Sequence, residues 1–105
     1  MKESDWKVFK EIKEKAIDRF CVESLEEFQG VIEDQTENAH SRYLLIYKLI
    51  HNRDKRMRFL FDGHSRSKAA IQLLAIRGEG IADETLLGKL SDEFLKQTDP
   101  ALHNW

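Results

Sequence analysis

The chain contains a single proline, Pro100, so the first 99 residues carry no side chain that removes a backbone amide hydrogen and breaks a helix. Charged residues make up 34% of the sequence, which is typical of helices with long solvated faces. At 105 residues the chain has the size of one domain with one core. We therefore predict an all-α fold, a single compact bundle of four to six helices over residues 1–105, with a C-terminal tail from about residue 100 that frays.

Apolar residues near the N-terminus recur at the spacing of one helical face. The stripe consists of Phe9, Ile12, Ala16 and Phe20. Ser24 and Glu27 have the spacing of a capping box, which predicts the start of a second helix. The stripe also continues beyond Phe20 with no proline or glycine that enforces a break, so one helix from Asp5 to about Gln35 fits the pattern equally well.

The most apolar stretch of the chain, Tyr43–Ile50, fits two local structures. It extends into a long helix if it is joined to Ala39 and Leu60, and it forms an α+β domain with a hairpin at about 43–61 if residues 51–55 turn. We favour the helix, because residues 51–55 lack the glycine that a tight hairpin prefers and the flanking segments are helical. Since this helix is apolar nearly all round, we expect it at the centre of the bundle.

Turn and cap residues divide the second half of the chain. Gly63 is free to adopt a positive φ in a turn, and Ser65 is placed to cap the next helix, which ends near Gly78. Asp83 and Ser91 are placed to start two further short helices.

Charge is sorted along the sequence, although the formal net charge is only −2. Residues 1–37 and 81–105 are acidic, whereas residues 38–80 hold nine Lys/Arg against three Asp/Glu. Basic residues interleaved with aromatic residues suit nucleic-acid binding, so segment 53–68 predicts nucleic-acid or other polyanion binding as an alternative function. The candidate anion- or partner-binding residues are Arg53, Lys55, Arg56, Arg58, Ser65, Arg66 and Lys68.

No group of residues predicts catalysis, a cofactor or a metal site. Cys21 is the only cysteine and has no histidine and acidic pair beside it in the sequence. His40 and His51 share one helical face with Tyr43 and Tyr47, but they lie about 16 Å apart along the axis and cannot share a metal. We expect these four rings to be partly buried at a packing seam.

The predicted function is therefore that of a small non-enzymatic protein that acts by protein–protein interaction or by self-association, for example as a homodimer. Cys21 alone forms no internal disulfide, and the N-terminal segment has no apolar signal core, so we expect a cytoplasmic protein. No apolar run approaches membrane-spanning length, so we expect no membrane partner.

The middle third of the chain resembles small, uncharacterised bacterial helical proteins. The residues that carry the resemblance are Ser41–Leu44, Arg53–Lys55, Phe61–Asp62, Ser65–Ser67 and Gln72–Leu73. The resemblance implies a helical fold and assigns a role to no residue.

Overall fold

The computed structural model describes residues 1–105 and contains only helices, turns and loops, which confirms the predicted all-α fold. The elements are α1 (Glu3–Glu33), α2 (Ala39–Phe61), α3 (Arg66–Gly78), α4 (Glu84–Leu87), α5 (Asp92–Gln97) and a 3-10 helix (Pro100–Leu102). The first two helices run antiparallel, and the shorter elements pack beside one end of this pair.

The N-terminal segment forms one continuous helix, which settles the alternatives left open by the sequence. Ser24 does not cap a second helix, because its hydroxyl donates to the carbonyl of Phe20 at 2.7 Å, one turn earlier in α1. The helix ends where Asp34 accepts hydrogen bonds from the amide and the hydroxyl of Thr36, and α2 begins where Asn38 accepts from the amide of Ser41 at 2.7 Å.

Helix α2 is also continuous, so the alternative hairpin at about 43–61 does not form. The predicted turn follows α2, where Gly63 has a φ of +74°. Asp83 caps α4 by accepting from the amide of Leu86, and this hydrogen bond is the main reason why the pKa of the Asp83 carboxyl lies below its usual value. Ser91 caps α5, as predicted. Ser65 occupies the N-cap position of α3 but makes no capping hydrogen bond.

The hydrophobic core lies at one end of the long helices, where the first half of α1 meets the end of α2 and the shorter elements. We call this region the body and define it as residues 1–20 and 58–105. The largest fully buried side chains include Phe9 and Ile12 from α1, Leu60 from α2, and Leu73 and Ile76 from α3. The body therefore joins residues that are distant in sequence into one packed cluster.

A buried carboxylate connects the N-terminus of α1 to the N-terminus of α5. Asp5 is 2% exposed, and its two oxygens accept hydrogen bonds from the amide of Ser91 at 2.8 Å and from its hydroxyl at 2.6 Å. The same hydroxyl accepts from the amide of Phe94 at 3.2 Å, so Asp5 holds the cap of α5 in place. This contact joins residues separated by 86 positions.

The remaining part of the long helices projects from the body as an antiparallel helical pair, which we call the arm (residues 21–57). Within the arm only Ser24 is buried. The molecule is accordingly elongated, with principal extents of 53 × 24 × 23 Å. The expectation that Tyr43–Ile50 forms the centre of the bundle is wrong, because this part of α2 packs against α1 alone and α3 begins only after α2 has returned to the body.

The tail after α5 lies against the body. Residues 100–102 form the 3-10 helix, and the amide of Trp105 donates to the carbonyl of Pro100. The indole ring of Trp105 covers Gly78 so closely that a Cβ atom at Gly78 would lie 2.6 Å from the ring. A glycine at the end of α3 therefore makes room for the last residue of the chain.

Candidate protein-interaction surface

One side of the arm carries an uncharged stripe from each of its two helices. Helix α1 contributes Cys21, Leu25, Phe28 and Ile32, which follow one another at intervals of four, three and four residues. Helix α2 contributes Tyr43, Tyr47 and Ile50, at intervals of four and three. Such intervals place residues on one side of a helix. We call these seven residues the arm face.

A shallow apolar groove shows that the two stripes lie side by side. Its volume is about 260 Å³, and it is lined by Cys21, Leu25 and Phe28 from α1 and by Ile50 and Met57 from α2, among others. Because residues of both stripes line the same groove, the arm face is one continuous surface.

The floor of the groove is held by an arginine that joins the two helices. Arg53 donates from one guanidinium nitrogen to the hydroxyl of Ser24 at 2.7 Å, and from the other to the carboxylate of Glu27. The guanidinium also lies 5.9 Å from the ring centroid of Phe20 and 5.7 Å from that of Phe28. Arg53 thus replaces the large apolar contacts that a helical pair normally buries at such a position.

The arm face exposes an apolar area at the upper end of the range that the largest patch of a typical monomer reaches. Leu25, Ile32, Tyr43, Tyr47 and Ile50 are 63%, 56%, 69%, 66% and 49% exposed. At about 200 Å² for each fully exposed large side chain, these five expose on the order of 600 Å² together. The largest exposed apolar patch of a typical monomer is about 300–600 Å², and patches of this size often mark functional surfaces.

The tyrosines correct an expectation from the sequence. Tyr43 and Tyr47 were expected at a packing seam, partly buried with His40 and His51. Instead, both tyrosines are about two-thirds exposed to solvent. The rings of Tyr47 and His51 stack on each other at 6.4 Å along the outside of α2. The prediction fails because helical spacing identifies a face without showing whether a third helix covers it.

The predicted basic residues are spread over the arm and the body, and most of them pair with a carboxylate. Arg53 pairs with Glu27, Arg56 with Glu79, Arg58 with Asp54 and Arg66 with Glu3. Lys55 and Lys68 have no carboxylate within 4.0 Å, and the hydroxyl of Ser65 lies 3.2 Å from that of Ser67. Anion or partner binding by this set stays a prediction, and pairing reduces the positive potential that it would use.

A buried lysine forms a second polar cluster, which the sequence did not indicate. The ammonium of Lys13 donates to the carbonyl of Gly63 at 3.0 Å and to the side chain of Gln72 at 3.3 Å, and it lies 3.4 Å from Nδ1 of His64. Gln72 in turn donates to the carbonyls of Asp62 and Gly63. The cluster fastens the turn between α2 and α3 to the side of α1.

Burial opposes positive charge in this cluster. Desolvation is the main cause that lowers the pKa of Lys13, while the nearby Asp62 partly offsets it. Desolvation also lowers the pKa of His64, and the adjacent Lys13 ammonium lowers it further. The ring centroids of His64 and Trp6 lie 4.6 Å apart. Packing and hydrogen bonding within the body therefore explain why these polar residues lie together.

The geometry defines an all-α protein with a small body and a projecting helical arm that exposes the arm face, while Val22, Leu44 and Leu45 are further exposed apolar side chains of the arm outside that face. Groups of three or more His, Cys, Asp or Glu side chains in metal-binding arrangement do not occur, and none of the helices combines the length and the apolarity needed to cross a bilayer. Comparison with protein-family models, with curated proteins and with solved structures finds no match. Functional inference therefore depends on the arm face itself.

Proposed function

We propose that the protein is a non-enzymatic interaction module that binds another protein chain through the arm face. The observation that supports this proposal is the exposure of five large apolar side chains on one side of the arm. Leaving such a surface in water is unfavourable by roughly 25 cal/mol for each Å², which a bound chain would recover.

The amino-acid types on the arm face support a protein partner. Tyrosine is enriched among the residues that dominate protein interfaces, because it buries a large area with few rotatable bonds and offers a hydroxyl for hydrogen bonding. The arm face has two tyrosines flanked by aliphatic side chains, and the two charged side chains that line its groove, Arg53 and Asp54, each pair with an opposite charge of the same chain.

The same composition disfavours the alternative of nucleic-acid binding. A nucleic-acid surface needs unpaired Lys and Arg side chains that contact phosphates. Four of the six predicted cations instead lie beside a carboxylate of the same chain, and the arm face carries none of them.

Site-specific photocrosslinking in cells that express the chain tests the interaction. A photoreactive phenylalanine analogue at Tyr47 is expected to give discrete adducts with a protein, because this side chain lies at the centre of the arm face. The same analogue at Leu45 is the matched control, since Leu45 belongs to the same helix, is 46% exposed, and lies two residues from each tyrosine, which places it on the opposite side of the helix.

Discrete adducts from position 47 that are absent or much weaker at position 45 would support the proposal. Equal labelling from both positions, or no discrete adduct from position 47, would contradict it.

A further inference from the structure

We infer that the partner of the arm face is a second copy of this chain, bound so that the two arms lie antiparallel and form a four-helix bundle. This inference rests on the proposed function and adds the identity and the orientation of the partner. It follows from two features of the arm: the area of its apolar face, and the positions of its tyrosines and its groove.

The apolar area of the arm face is close to what a stable dimer requires. A standard protein–protein interface buries about 800 Å² on each partner, of which about 65% is apolar in homodimers. The arm face exposes on the order of 600 Å² of apolar surface, which accounts for the apolar part of such an interface. The two charged side chains that line the groove, Arg53 and Asp54, carry opposite charges, so two copies brought together do not combine net charges of one sign.

The arm face is complementary to itself when one copy is reversed. Tyr43 and Tyr47 lie toward the tip of the arm, whereas the groove lies toward the body. From Tyr47 to Arg53, which lines the groove, the distance along the helix axis is about 9 Å. A two-fold axis level with Ile50 therefore brings the tyrosines of each copy over the groove of the other.

Polar groups at the edge of the groove suit a tyrosine hydroxyl. Asp54 lines the groove and is 61% exposed at its side chain, so its carboxylate is free on one side to accept a hydrogen bond. A tyrosine ring that enters between Leu25 and Ile50 would thus have apolar contacts for the ring and an acceptor for the hydroxyl.

Measurement of molar mass by sedimentation equilibrium or light scattering on the full chain tests the stoichiometry. We expect the mass to rise from 12.4 kDa to twice that value as the protein concentration increases. Leu25→Glu is expected to weaken association by at least about 100-fold, because it buries an unpaired charge in the interface. Leu45→Glu is the matched control and is expected to leave the dimer intact, since Leu45 lies on the opposite side of α2 from the arm face.

Disulfide crosslinking tests the orientation. With the two-fold axis level with Ile50, α2 of one copy lies over α2 of the other, so Tyr43 of one copy faces Met57 of the other. In the variant Tyr43→Cys, Met57→Cys with Cys21→Ala, mild oxidation of two thiols by added copper phenanthroline under air is expected to join position 43 of one copy to position 57 of the other. Peptide mapping of a crosslink between two 43 positions would show parallel arms and overturn the orientation.

Circular dichroism of each variant establishes that it remains folded, which is expected because Leu25 and Leu45 are 63% and 46% exposed. A chain that stays monomeric at all concentrations, or a dimer that Leu25→Glu leaves intact, would overturn the inference. A monomer that still gives discrete adducts with a different protein from position 47 would overturn the homodimer and leave the proposed function standing. A monomer without such adducts would remove both.

Discussion

Two leucines of α2 allow a direct test of where the core lies. Leu60 is fully buried in the body, whereas Leu44 belongs to the apolar stretch of the arm and is 51% exposed. The substitutions Leu60→Ala and Leu44→Ala remove the same atoms from the same helix. They differ only in what surrounds the side chain, so the difference between their effects on the free energy of unfolding measures packing.

The expected magnitudes follow from the burial of each side chain. At Leu60, truncation loses the transfer free energy of a fully buried side chain and leaves a cavity, which costs about 2–5 kcal/mol. At Leu44 only about half of the residue is buried, which corresponds to at most roughly 1 kcal/mol of burial, and the better helix propensity of alanine returns a few tenths of a kcal/mol. We therefore expect the Leu60 variant to be destabilised at least about three times as much as the Leu44 variant.

Urea unfolding at equilibrium, followed by circular dichroism at 222 nm and at one fixed protein concentration, measures both values. The denaturant slope should be the same in wild type and both variants, because each unfolds the same surface. If Leu44→Ala cost as much as Leu60→Ala, the stretch from Tyr43 to Ile50 would be packed inside the molecule, and the description of an exposed arm would be incorrect.

The remaining predictions concern the two polar clusters of the body. Asp5→Ala is expected to cost about 2–4 kcal/mol of unfolding free energy, because it removes two hydrogen bonds to a buried charged acceptor. A double-mutant cycle with Ser91→Ala should show a coupling of about 1 kcal/mol or more, and additive effects would contradict the contact. Partial desolvation and the nearby Lys13 ammonium hold the pKa of His64 below its usual value of 6.5, although the residue stays exposed, so the unfolded chain binds more protons between these two pKa values and the effect on stability is small. The contribution of His64 to the free energy of unfolding is then fully present above pH 6.5 and is lost as the pH is lowered toward the folded pKa. His64→Gln should flatten this part of a plot of urea midpoint against pH, and His103→Gln should not.

Local signals in the sequence predicted most of the secondary structure. The turn at Gly63 and the caps at Asp83 and Ser91 depend on hydrogen bonds and backbone angles within a few residues, which the sequence displays directly. The capping-box spacing at Ser24 was ambiguous, because the same hydroxyl can instead bond the carbonyl one turn earlier within an uninterrupted helix.

The candidate surface was only partly predictable. The sequence identified Tyr43–Ile50 as the most apolar stretch and placed the two tyrosines on one side of a helix, but it assigned this stretch to the core. Burial is a property of the whole arrangement, since it depends on how many helices reach a given level of the long pair. Leu25 and Ile32 of α1 were not selected as functional residues, and their helical spacing with Cys21 and Phe28 was the available signal.

By itself the sequence favoured an all-α chain, because proline is absent before residue 100 and apolar residues recur with a helical period. It left open whether residues 5–35 form one helix or two, and a hairpin at about 43–61 remained the alternative. Only the tertiary structure decided that α1 and α2 extend beyond the hydrophobic core. The shorter helices contact one end of the α1–α2 pair, and the other end keeps its apolar side in solvent. The physical reason is that local periodicity orients a side chain relative to its own helix, whereas exclusion of water requires neighbours that the chain brings from elsewhere.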